Sequence, residues 1–188
     1  MFRKGDHKHC FAYEAHTVCD RHNFILDTVV TSGNVHDSAA FDALYEKVTA
    51  RFSGIRIVTM DAGYKTPWIC KRIIDDGRIP SLPYKRPMTK KGFHEWYKYV
   101  YDEYLDIVIC PEYKSLLYST TNRKGYREYK SLQYQCATCG TRHLCTEGRG
   151  CQKTVTRHIW GDYIEQAEDI RHSPQGKESY RLRSQTIE

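Results

Sequence analysis

The chain has 188 residues, a formal net charge of +6 and eight cysteines, enough for one domain or a core with a small insertion. No apolar run approaches a membrane span, and Met1-Phe2-Arg3-Lys4-Gly5-Asp6 lacks the apolar segment of a secretory signal. The cytoplasm is the expected compartment, where clustered cysteines point to metal before disulfides, and the charge suits a polyanionic partner without establishing one.

In chain order, residues 7–31 have the pattern of a β-hairpin. Phe11, Tyr13, Ala15 and Thr17 share one alternating face, Asp20-Arg21-His22-Asn23 makes the turn, and 24–30 returns. Cys10 and Cys19 are expected there as small buried thiols. Asp37 or Ser38 can cap a helix whose inner face is Ala40, Phe41, Leu44, Tyr45, Val48 and Phe52. A short β-branched run, Ile55 to Met60, then stops at a carboxylate, Asp61. Gly63 permits a sharp turn, Thr66 can cap the next helix, and Pro67 suits its first position. Ile69, Cys70, Ile73 and Ile74 form that helix's apolar face, Gly77 fits its end, and 79–84 is an edge strand at best. Strand, helix, strand is a βαβ unit, and ligands gather at the carboxyl ends of such strands, where Asp61 lies. The predicted sheet is mixed, a hairpin feeding a parallel portion, with no opening strand before Phe11.

After Tyr84 the character changes. Lys85-Arg86-Pro87-Met88-Thr89-Lys90-Lys91-Gly92 is a basic loop, and with Trp96, Tyr97 and Tyr99 nearby it offers phosphate contacts and stacking faces. Residues 93–135, rich in Tyr and Lys, are expected as short antiparallel strands without a large core. Cysteines would staple them. Cys136 and Cys139 form a Cys-x2-Cys knuckle, Cys145 follows after five residues, and Cys110 precedes Pro111. Four thiolates suit a closed tetrahedral zinc site, with Cys151, His143 and His158 as rival ligands. Residues 161–171 form an amphipathic helix with Tyr163, Ile164, Ala167 and Ile170 on one side. After Ser173-Pro174 a last helix runs to Glu188 without a capping signal. The division expected is a first part over 1–84, a basic, Tyr-rich insertion over 85–160 and a return over 161–188.

The chain resembles the DDE transposases of bacterial insertion sequences, in the branch with an RNase H-like α/β domain and a cysteine-bearing insertion. The resemblance spans essentially the whole chain. It is carried by His9-Cys10-Phe11-Ala12-Tyr13-Glu14-Ala15-His16-Thr17, Gly33-Asn34-Val35-His36-Asp37-Ser38, Asp61-Ala62-Gly63-Tyr64, Cys136-x2-Cys139-x5-Cys145-Thr146, and Tyr180-x2-Arg183 with Ile187-Glu188. It implies a triad of Asp, Asp and Glu that holds two Mg²⁺ or Mn²⁺ ions beside a scissile phosphate for DNA strand cleavage and transfer. By the match, Asp61 is the second carboxylate and Glu188 the third, and both are metal ligands. Tyr180 and Arg183 accompany that Glu, and a phosphate or flanking-DNA role suits Arg183. Together with Lys85, Arg86, Lys90 and Lys91 they are the expected DNA-binding residues. The implied partner is DNA at the element ends, the full-length enzyme can be a homo-oligomer, and the setting is the bacterial cytoplasm at the nucleoid, with no membrane.

Two departures stand out. The first Asp of the triad belongs on an opening strand ahead of the hairpin, where Asp6 and Asp20 are both misplaced, one in a loop and one in a turn. The signature also continues past Glu188 to a Lys that is missing here, and Arg183 is one residue farther from Glu188 than in the commonest form. The expectation is an internal, catalytically incomplete piece of a transposase. The alternative is a zinc-stapled module that binds DNA or protein without chemistry.

Overall fold

The computed structural model describes residues 2–4 and 8–186, with side chains over 11–186. Asp6 and Glu188 lie outside the described residues. Two compact units appear: one runs through Lys85 and resumes at Asp162, and the other is Arg86–Gly161.

The first unit begins with two short strands, β1 (Phe2–Lys4) and β2 (Lys8–Cys10), paired antiparallel. Strands therefore do precede Phe11, contrary to the sequence reading, but among the described residues they pair only with each other. The hairpin follows as β3 (Tyr13–Cys19) and β4 (Ile25–Ser32), with Tyr13 opposite Ser32 and His16 opposite Val29. Its turn is fixed by Asp20, whose carboxylate accepts from the backbone N–H of His22 and Phe24 at 2.8 and 3.0 Å.

The βαβ unit forms as its signals indicate. Strand β5 (Ile57–Thr59) pairs in parallel with β6 (Ile79–Ser81), and α2 (Pro67–Asp75) crosses between them. Thr66 caps α2 by accepting from the Ile69 N–H, Pro67 opens it, and Gly77 ends it at φ +70°. Such a cap contributes about 1 kcal/mol, whereas full burial of Ile69 and Ile73 contributes roughly 1.5–3 kcal/mol each. Packing, more than capping, holds α2. Its buried face meets Phe41 and Tyr45 of α1 (Phe41–Arg51), Leu82, and Ala167 of α4 (Gly161–His172).

The expected single mixed sheet is not what forms. Hairpin and parallel pair are separate two-stranded sheets, because no strand among the described residues bridges β3 to β5. The hairpin face carrying Phe11 and Tyr13 also proves to be the exposed one, at 88% and 82%, and His16 on the opposite face is buried.

The second unit is an antiparallel sheet in the order β11 (Thr154–His158), β10 (Tyr126–Lys130), β9 (Ser115–Thr121), β8 (Ile107–Ile109) and β7 (Val100–Asp102). Short α3 (Gln133–Ala137) follows β10. The buried core is small, Tyr99, Val108, Leu116 and Tyr129, with Cys110 and Cys145 packed against it.

In the first unit, α5 (Pro174–Thr186) lies against β5 and β6. Gly176 makes this approach workable. A Cβ there would stand 2.0 Å from the Ile170 carbonyl oxygen of α4, and the Gly176 carbonyl accepts from the buried Ser81 hydroxyl at 3.3 Å. Because the obstacle is backbone, Gly176→Ala should destabilise the chain by about 1–3 kcal/mol or more. Gly54→Ala, whose Cβ meets open space, should change stability by less than about 0.5 kcal/mol. Urea unfolding followed by circular dichroism checks the pair, and equal midpoints would refute this role for Gly176.

Candidate functional site

Strand β5 ends at Thr59, and two residues on Asp61 leads into a 3-10 turn over Ala62–Tyr64. Asp61 caps that turn: its Oδ1 accepts the Gly63 N–H at 2.8 Å. The carboxylate is thereby held at the carboxyl end of the strand, where βαβ units gather ligands.

Asp37 reaches the same place from another direction. It opens a 3-10 turn over Asp37–Ala39 that is capped by His36, whose Nδ1 accepts from the Ser38 N–H. Helix α1 starts later, behind Ala40, with no side-chain cap. The expected capping role of Asp37 is therefore not realised: α1 has no side-chain cap, and the turn before it is capped by His36. Freed from that task, the Asp37 carboxylate sits against Gly63. A Cβ on Gly63 would stand 2.2 Å from Asp37 Oδ2 and 3.1 Å from Asp61 Oδ1, so two carboxylates flank one bare glycine. The φ of Gly63 is not positive, and its value here is the absence of a side chain rather than a special turn.

The hairpin supplies the rest. Glu14 and His16 are two apart on β3 and share its inward face. Ligand atoms of Glu14, His16 and Asp37 all lie within 4.8 Å of one another. His16 is 4% exposed and both its ring nitrogens are engaged, Nδ1 with the Tyr64 hydroxyl at 2.7 Å and Nε2 with Thr31 Oγ1 at 3.0 Å. It braces the cluster, while the carboxylates remain open. Burial, then the negative charges of Asp37, Asp61 and Glu14, pushes the Tyr64 phenol up to about 12, so it stays protonated beside them.

No Lys or Arg among the described residues forms an ion pair with Glu14, Asp37 or Asp61. The nearest lysine in sequence, Lys65, is committed elsewhere: its ammonium pairs with Glu168 of α4 and donates to the Pro83 carbonyl. Hard carboxylate oxygens, gathered without a cation of their own, fit Mg²⁺ or Mn²⁺.

The other residues singled out in the sequence fall on other elements. Tyr180 and Arg183 are on α5, the guanidinium 6.0 Å from the tyrosine ring centroid. Lys85 and Arg86 are exposed where one unit ends and the other begins. Lys91 is exposed, but Lys90 is paired with Glu147 and lies over Phe93. Sequence reasoning missed roles for Glu14, His16 and Asp37, although each falls in a segment that carried the resemblance. The i, i+2 spacing of Glu14 and His16 on a strand was the available signal.

A family described as Transposase DDE domain matches over residues 2–185. No curated protein and no solved structure matches.

The bare Cα of Gly63 can be tested directly. Gly63→Ala displaces a side-chain carboxylate rather than backbone, so stability should change by less than about 1 kcal/mol. Affinity for Mn²⁺ should fall at least about tenfold, as Asp37 swings from Asp61. Calorimetric titration with Mn²⁺ measures this, and unchanged affinity would show that the Asp37–Asp61 juxtaposition is unimportant.

Proposed function

The chain belongs to the transposases with a DDE domain, and from that premise we propose that its carboxylate cluster is the metal-holding face of an insertion-sequence DNA strand-transfer enzyme. The observation that carries the reading is the gathering of Asp37 and Glu14 beside Asp61 with no lysine or arginine of the described residues paired to them. In this reading Asp61 is the second carboxylate of the triad and Glu188 the third. Support for an RNase H-like core comes from the βαβ unit, with Asp61 at the end of β5 and α5, the helix that leads toward Glu188, against β5 and β6.

Divalent ions at such carboxylates polarise a phosphodiester and stabilise its leaving oxygen. The chain's own residues have the task of holding them. Asp61 is fixed by the Gly63 N–H, Asp37 adds negative charge beside it, and His16, locked between Tyr64 and Thr31, keeps the hairpin face against the turn. Both ring nitrogens of His16 are occupied, which makes it a positioning residue rather than a base. DNA would be gripped through phosphate contacts from Lys85, Arg86, Lys90, Lys91 and Arg183, with Tyr180 alongside.

Electron paramagnetic resonance of Mn²⁺ tests the reading. The chain should take up the ion, lose that uptake in Asp61→Asn, and bind at least about tenfold more weakly in Asp37→Asn. Because no residue matches the first Asp of the triad, the 188-residue chain is expected not to nick DNA carrying the element's ends. Metal-dependent nicking that disappears in Asp61→Asn would assign the first carboxylate's role to Asp37 or Glu14. Uptake of Mn²⁺ that is indifferent to Asp61 would overturn the proposal and favour a binding module without chemistry.

A further inference from the structure

The second unit presents a different ligand chemistry. Its buried core is four residues, small for a sheet of five strands, and small cores of this kind are commonly stapled. The seven described cysteines are free of disulfides. Four of them lie in the neighbourhood of Tyr99. The Tyr99 hydroxyl is 2.9 Å from Cys145 Sγ and within electrostatic reach of Cys110 and Cys136, while Cys110 and Cys139 are within reach of Cys145.

Each sulfur is presented by a tight turn. Cys110 follows β8, and the Lys114 N–H donates to its Sγ at 3.4 Å across a turn closed by Tyr113 N–H to Cys110 O. Tyr113 sits at φ +55°, a left-handed position that this turn imposes on a bulky side chain. Cys136 ends in α3, and the Cys139 N–H bonds back to its carbonyl. Cys145 closes the 3-10 turn over Arg142–Leu144.

Polar groups stand beside two of the sulfurs, although burial raises the Cys145 thiol above its ordinary range. Buried Tyr99 can donate to Cys145. The Cys136 thiol donates to Ser131 Oγ at 3.1 Å, and that oxygen also accepts from the Lys153 N–H; once the thiol gives up its proton, the hydroxyl can turn its own toward the sulfur. The Lys153 ammonium donates to the Cys145 carbonyl and rests over the Tyr99 ring, placing positive charge where a tetrathiolate centre would be negative. The rival ligands are occupied or turned outward. Cys151 Sγ donates to the Arg149 carbonyl, His143 is exposed, and His158 accepts from the Trp160 N–H between the rings of Tyr126 and Trp160.

We propose that Cys110, Cys136, Cys139 and Cys145 bind one structural zinc ion, which ties the β8–β9 turn to the segment after β10. Among the described residues no three of these sulfurs lie within 4.8 Å of one another, so the ion draws the gathered turns together. The four thiols give up their protons as it binds. Tyr99 and Ser131 act as outer partners to the bound sulfurs.

Elemental analysis of the full chain, dialysed against zinc and then free of it, should find about one zinc per chain. Cys139→Ser and Cys110→Ser should lose most of it, whereas Cys19→Ser, Cys151→Ser and Asp61→Asn should keep it. Cobalt substitution of the unmodified chain gives a readout that no variant's misfolding can confuse: a thiolate-to-cobalt charge-transfer band with intense tetrahedral ligand-field bands is expected. A folded chain that retains no zinc, or a cobalt spectrum without the thiolate band, would overturn the site. So would full zinc content in Cys139→Ser.

Discussion

A side chain at Gly63 would push the Asp37 carboxylate aside, and the arrangement of the first unit's carboxylates depends on its absence. The Asp37 carboxylate occupies the space where a Cβ would be, and the Gly63 N–H simultaneously holds Asp61. One residue thus brings together a turn before α1 and a turn after β5, which are distant in sequence. The next residue, Tyr64, extends the connection to β3 through His16. The one after that, Lys65, reaches α4 through Glu168; burial opposes ionisation of that carboxyl, but the bonds from Lys65 and Arg171 hold it below its ordinary value. Three consecutive residues therefore tie the hairpin, the βαβ unit and α4 to one short turn.

Placing like charges close together costs energy, and the structure shows how the cost is contained. The carboxylates stand at the end of a strand rather than inside the core, and the polar groups beside them are a neutral phenol and a braced imidazole. Lys65 could have neutralised them; it is drawn away by Glu168 and the Pro83 carbonyl. Charge is left uncompensated by the described protein groups, and the family to which the chain belongs gives that charge a use. In the second unit the donors are soft sulfurs held by turns around a small aromatic core. The chain thus offers two ligand sets of opposite chemical preference, one in each unit.

Local signals were legible in the sequence wherever the physics was local. The β-branched run before Asp61, the Thr66-Pro67 start and the Gly77 stop of α2 need only neighbouring residues, and all three appear as read. The inner face of α1 followed from its helical spacing, although Phe52 falls outside it. What depended on distant partners was not legible. A period of two cannot say which face of β3 is inward: Phe11 and Tyr13 turn out exposed, and His16 of the opposite face is buried. Asp37 looked like a helix cap because Asp is common there; that α1 would start later without a side-chain cap, and that Asp37 would meet Asp61, is a fact of tertiary packing. Whether hairpin and parallel pair share a sheet likewise depends on a bridging strand, not on either element's own pattern.

Asp37 and Asp61, brought together over Gly63, are proposed to hold a divalent cation. Crystals of the chain soaked in Mn²⁺ and measured for anomalous scattering locate the ion without reference to activity or stability. The expected result is a peak between the Asp37 and Asp61 carboxylates, within coordination distance of both. A peak elsewhere, or none there while both carboxylates are well ordered, would contradict the account.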